Sequence, residues 1–70
     1  MRYYGSATCQ GCKVTRKILD RYGISYEYID VSTIPGFEGE IPQLELNNGQ
    51  FLVGTQPIMN WIRRETNEIY

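Results

Sequence analysis

The chain alternates between short apolar stretches and polar, glycine-containing breaks, and each stretch has a readable period. Met1 to Tyr4 reads as a first strand, ended by the small residues Gly5-Ser6-Ala7-Thr8. From Gln10 to Tyr22, Val14, Ile18 and Tyr22 recur every four residues with Leu19 beside them, while Lys13, Arg16, Lys17, Asp20 and Arg21 take other faces. This pattern predicts an amphipathic helix, and Gly23 follows it where a left-handed C-terminal cap favours glycine. Ser25 to Val31 is aromatic and β-branched and predicts a second strand. Ser32 to Ile41 holds Pro35, Gly36 and Gly39 and reads as a loop with at most one helical turn. Gln43 to Leu46 and Gln50 to Val53 are short strands around Asn47-Asn48-Gly49, a hairpin signal because Asn and Gly tolerate positive φ. Thr55 is the expected cap of a last helix, with Pro57 in its first turn and Ile58, Trp61 and Ile62 facing inward.

The order strand, helix, strand, loop, hairpin, helix predicts one four-stranded mixed sheet in the order 2-1-3-4. A helix-linked strand pair is normally parallel with a right-handed crossover. The third strand then lies on the far side of the first and runs antiparallel to it. The gap to be crossed is two strand spacings, roughly 10 Å, and the loop residues reach about 33 Å when extended, so no helix is needed between strands two and three. In this arrangement Pro42 falls beside the loop that carries Cys9.

Seventy residues suit a single domain, 1–70, whose core contributes no more than about 3–5 kcal/mol net. Seven basic and eight acidic residues give a net charge of −1, with no electrostatic footprint for nucleic acid or an anionic membrane. Met1-Arg2-Tyr3-Tyr4 lacks the apolar length of a secretory signal, and no run approaches the ~20 residues of a membrane span. A cytoplasmic monomer is the expectation.

The candidate chemistry lies in Cys9-Gln10-Gly11-Cys12. With two cysteines and no histidine, one chain cannot complete a four-ligand zinc site. A bridge closing so short a loop removes little unfolded-state entropy, which argues against structural stapling. Half of a metal site shared by two chains and incidental core thiols remain as alternatives. At a helix start the two cysteines lie within one turn of each other, so they can close into a disulfide with little backbone movement. The thiolate is the attacking species, and the free N–H groups and partial positive charge of the helix N-terminus favour it at the Cys9 sulfur. Cys9, exposed ahead of the helix, is the expected attacking thiol, and Cys12, further in, the resolving one. A resolving thiol held this close makes release of a mixed disulfide intramolecular.

Tyr4 five residues before Cys9, the CQGC helix start, Arg16 and Lys17 after it, the YEYID strand, IPQL and LVGTQP together resemble the glutaredoxin branch of the thioredoxin superfamily, over nearly the whole chain. The resemblance implies a minimal thioredoxin-like α/β fold with the helix between strands two and three reduced to a loop. It implies a thiol-disulfide oxidoreductase with no bound cofactor, acting on protein disulfides. It also implies a cis Pro42 facing the dithiol and Ile41 offering its backbone to substrate. Thr8, Gln10 and Gly11 around the cysteines, with Ile41, Pro42, Gly54, Thr55 and Gln56, are the candidate substrate contacts. Glutathione-using members commonly carry a cation three residues before the first cysteine and acidic residues after the strand-four glycine. This chain has Ser6 and Thr55-Gln56-Pro57 there. Gly-x-x-Pro (Gly54 to Pro57) is closer to the redoxins that serve ribonucleotide reductase and draw electrons from thioredoxin reductase. A glutathione-dependent glutaredoxin is the alternative, and a redox-switched protein-binding module is the alternative from another class.

Overall fold

The computed structural model describes residues 1–66; residues 67–70, which the single-domain expectation includes, lie outside the described residues. The elements are β1 (Arg2–Gly5), α1 (Gln10–Arg21), β2 (Glu27–Asp30), β3 (Gln43–Glu45), β4 (Phe51–Val53) and α2 (Thr55–Glu65), with a 3-10 turn at Val31–Thr33. The sheet order is β2-β1-β3-β4. β1 and β2 pair in parallel, and the other pairs are antiparallel. This is the minimal thioredoxin-like arrangement expected from the sequence, and the only helical turn among the described residues between β2 and β3 is the 3-10 one.

Strand side chains alternate between faces, and here the two faces are built differently. Tyr3, Leu44 and Leu52 point to one side, where Leu19 of α1 and Ile58 and Ile62 of α2 close the core over them. Tyr3, Leu19, Leu44 and Ile58 are fully buried. The other face carries Arg2, Tyr4, Glu27, Glu45, Phe51 and Val53, and no helix packs on it among the described residues. Arg2 stands directly opposite both Glu27 and Glu45 in the register, with N···O separations of 4.0 and 3.3 Å. Tyr4 Oη donates to Glu45 Oε1 at 3.0 Å, and Phe37 of the long loop stacks on the Tyr4 ring at 6.4 Å. A cross-strand ladder of charge thus takes the place of a third layer.

Two expectations are corrected. Val14 is 44% exposed, and the fully inward residues of α1 are Cys12, Thr15 and Leu19. Successive helical residues lie about 100° apart, so once Cys12 faces the sheet Val14 is about 200° away, while Thr15 and Leu19 fall near Cys12. Ile18 and Tyr22 pack at the edge of the core. The buried Thr15 is accommodated because its Oγ1 donates to the Gly11 carbonyl at 2.7 Å. Nor does Thr55 cap α2: Gly54 is the N-cap residue and no side chain caps the helix. The Gly54 N–H is held by the Pro42 carbonyl at 2.8 Å, and its φ of 97° turns the strand into the helix one residue earlier. That conformation suits glycine and strains most other residues.

Removing a core side chain should be severe in so small a domain. Leu44→Ala is expected to cost about 2–5 kcal/mol, comparable with the whole net stability, whereas Arg2→Ala on the open face should leave the transition nearly in place. Urea unfolding of both variants tests the assignment of faces; similar midpoints would contradict it.

Candidate functional site

The site forms where the end of β1 meets the start of α1. Cys9 is the N-cap residue of α1, in extended backbone conformation, and its Sγ accepts the Cys12 N–H at 3.2 Å. Its carbonyl receives the Lys13 N–H at 3.1 Å, and its own N–H is tied to the Ser6 carbonyl at 3.2 Å. The turn Ser6–Cys9 is therefore held at both ends. Cys9 is half-buried and Cys12 is buried, and both are free thiols. The helix amide aimed at Cys9 Sγ places positive charge against any negative charge on that sulfur.

Cys12 is seated by two groups, Tyr3 and Gly5, whose part in this the sequence did not show. Tyr3, fully buried, donates its hydroxyl to the Cys12 carbonyl at 2.7 Å. Burial pushes the Tyr3 hydroxyl well above its usual titration range, and the neighbouring thiols add to this, so it remains a donor. Gly5 lies directly beneath: a Cβ there would stand 3.2 Å from Cys12 Cβ, 3.4 Å from its Sγ and 3.5 Å from the Tyr28 ring. Burial, with hydrogen bonding to Cys9 next, pushes the Cys12 thiol up to about 11. The signal for Tyr3 was its alternation with Tyr4 along β1. The signal for Gly5 was the run of small residues Gly5-Ser6-Ala7-Thr8, suited to a loop that must come close to something, without saying to what.

Most of the expected substrate contacts assemble around the dithiol. The Ile41-Pro42 bond is cis. Extending the β1/β3 register by one residue sets the buried Pro42 opposite Gly5. Ile41 is half-buried beside it. Gly54 is bound to the Pro42 carbonyl, as above, and Thr55 Oγ1 stands 3.3 Å from where a Gly11 Cβ would lie. Gly11 thus lets the CxxC turn approach the first turn of α2. Gln10 is exposed at the first position of α1. Thr8 is exposed in the turn, its hydroxyl 3.0 Å from Ser6 Oγ. Gln56 is not drawn in, because its side chain runs along α2 to Asn60 Oδ1 at 3.0 Å. Among the described residues, no group of three or more His, Cys, Asp or Glu side chains could hold a metal ion.

A thioredoxin-like sheet that presents two free thiols at a helix N-terminus beside a cis-proline has the form of a thiol-disulfide oxidoreductase. A comparison with protein-family models matches glutaredoxin over residues 2–50, most of the chain, and the chain belongs to the glutaredoxin family. Comparison with curated proteins gave no match, and comparison with solved structures gave none.

The seat of Cys12 can be tested without assuming a substrate. In Gly5→Ala the added methyl must displace the Cys12 side chain, so oxidative closure of the Cys9–Cys12 disulfide is expected to slow several-fold. Alkylation of Cys9 by iodoacetamide should keep its rate. Unchanged closure kinetics would show that the contact does not position the thiol.

Proposed function

We propose that this protein is an electron carrier that reduces protein disulfides, with Cys9 as attacking and Cys12 as resolving thiol. The observation that carries this reading is the unequal setting of the two sulfurs: Cys9 is half-buried at the helix cap with an amide donating to it, and Cys12 is buried behind it. The Cys9 thiolate attacks one sulfur of a substrate disulfide, forming a mixed disulfide and releasing the other sulfur as a thiolate. Cys12, on losing its proton, attacks Cys9 Sγ and expels the second substrate thiolate. Two electrons have then passed to the substrate, and the Cys9–Cys12 disulfide awaits a reductant. Pro42, Ile41, Gly54 and Thr55 form the wall on which the substrate chain rests, with Thr8, Gln10 and Gly11 at its other edge. Gln56 lies at the rim.

Thioredoxin reductase is the proposed electron donor, with glutathione the alternative. At the position where glutathione-using members commonly carry a cation this chain has Ser6, which is bonded to Thr8, and Thr55 and Gln56 bring no carboxylate to the start of α2. Ribonucleotide reductase, served by redoxins with the same Gly-x-x-Pro, is the substrate to try first, and a cytoplasmic monomer is the proposed state. Cys9→Ser is expected to abolish turnover and Cys12→Ser to accumulate a mixed disulfide detectable by mass. NADPH oxidation should couple to thioredoxin reductase and respond weakly to glutathione with glutathione reductase. The reverse order would reassign the donor, and turnover by the Cys9 variant would overturn the roles.

The raised Cys12 thiol sets the pH dependence. A group titrating near 11 is only about 0.01% thiolate at pH 7, so the resolving step gains about tenfold per pH unit while Cys12 remains mainly protonated. In the mixed disulfide the contribution of the Cys9 thiol is gone, but burial, the first cause, remains. Release from a preformed Cys9 mixed disulfide should therefore rise with unit slope from pH 7 to 9 in stopped-flow experiments. A plateau inside that window would indicate a thiol that ionises at neutral pH.

A further inference from the structure

On the β2 side of the dithiol, across β1 from Pro42, a shallow cavity of about 270 Å³ opens between α1 and β2. Ala7, Cys12, Lys13, Arg16, Tyr28 and Asp30 line it. Arg16 is exposed yet held in place. Its Cζ stands 4.0 Å from the Tyr28 ring centroid, and its Nε donates to Tyr26 Oη at 3.3 Å. Tyr26 Oη in turn donates to Asp20 Oδ1 at 2.7 Å. This chain fixes one edge and one face of the guanidinium. Among the described residues no carboxylate lies within ion-pair distance of it, since both ion pairs there belong to Arg2, and no acceptor meets its terminal nitrogens. Lys13, one helical turn earlier and exposed, has no ion-pair partner there either.

Asp30 is the opposing charge in the groove. It is already used: its Oδ1 accepts the Ser32 N–H at 2.9 Å and caps the 3-10 turn. The lining thus holds two cations against one committed carboxylate, while Asp20, which acts on Arg16 through Tyr26, lies outside it and is itself engaged. A guanidinium preordered by stacking, with its fork unoccupied, matches a carboxylate and loses little entropy on binding one. The groove is continuous with the redox site through Cys12 and Ala7. Along the helix, Arg16 lies about 10 Å beyond Cys9 at 1.5 Å per residue, a distance that an extended peptide covers in about three residues.

We propose that this groove reads the protein substrate: it binds the side-chain carboxylate of an Asp or Glu about three residues from the cysteine under attack, through Arg16 with Lys13 in support. The proposal rests on the reading of Cys9 as attacking thiol. Peptides with one cysteine blocked by thionitrobenzoate test it, one carrying Asp and one Asn three residues from the cysteine, beside glutathione blocked in the same way. The reduced protein, mixed with excess peptide in a single turnover, is expected to release thionitrobenzoate from the Asp peptide with a three- to tenfold higher second-order rate constant than from the Asn peptide, and the preference should fade at high salt. Arg16→Gln should erase it, leaving the two peptides with the same rate constant, and Arg16→Lys should retain part of it. Equal use of the two peptides, a preference surviving in Arg16→Gln, or an Arg16 effect confined to the glutathione derivative overturns the groove assignment while leaving the dithiol mechanism standing. Inertness toward every probe overturns both.

Discussion

The first turn of α1 rests so closely on the end of β1 that a methyl at position 5 would press on the Cys12 side chain, and the rest of the site depends on that contact. Because Gly5 has no side chain, Cys12 can lie against the strand. Because Tyr3 reaches the Cys12 carbonyl from the core, the helix cannot rotate about its axis without breaking a buried hydrogen bond of about 1 kcal/mol net. With Cys12 fixed, the helical repeat of about 100° per residue sends Thr15 and Leu19 into the core and Val14 and Lys13 outward, and it leaves Arg16, about 40° from Cys12, on the edge that faces Tyr28. Cys9, three residues back, is left at the cap with its sulfur under the Cys12 amide. The asymmetry between a half-open and a buried thiol, which the chemistry requires, is a consequence of how one helix sits on one strand.

The sheet is two-layered, and this changes what its open face has to do. In a sheet covered on both sides, every strand position would be apolar. Here the positions facing away from the helices carry Arg2, Glu27 and Glu45 in cross-strand register, which keeps three strands aligned with groups that water also solvates. Such pairs add little stability individually; their effect is on register and solubility. Phe37 stacked on Tyr4, with Gln43 bonded back to the Glu40 carbonyl at 3.2 Å, secures the long loop before it delivers Ile41 and Pro42 to the dithiol. A loop can therefore do the positioning that a helix would otherwise do.

Much of this was legible in the sequence because the relevant signals are local. Periodicity at Ile18 and Leu19, the Asn47-Asn48-Gly49 turn and the Gly23 stop each act over a few residues, and the reach of the Ser32–Ile41 loop needed only arithmetic. What could not be read was phase and depth. The phase of α1 is set by the seat of Cys12 on Gly5, a tertiary contact, so counting apolar residues placed Val14 inside and overlooked Thr15, a polar residue that supplies its own acceptor. The start of α2 is set by the Gly54–Pro42 hydrogen bond across a strand pair, which outweighs the ordinary preference for threonine at a cap. Arg16 read as a solvated cation because its partners, Tyr26 and Tyr28, are ten and twelve residues away on a neighbouring strand or its approach.

The two flanks of the dithiol are consequently unlike, and the difference follows from the strand order. On the β3 side the wall is Ile41, Pro42 and Gly54, where the Pro42 carbonyl and the Gly54 N–H are paired with each other and the main chain of Ile41 is what would meet an extended chain of any sequence. On the β2 side the wall is side chains, with a guanidinium fixed on a tyrosine ring. A substrate lying across both would be held in place by the first and distinguished by the second. Discrimination then comes from the flank that does no chemistry, where a change of charge can alter which disulfides are chosen without disturbing the seat of Cys12 or the cap at Cys9.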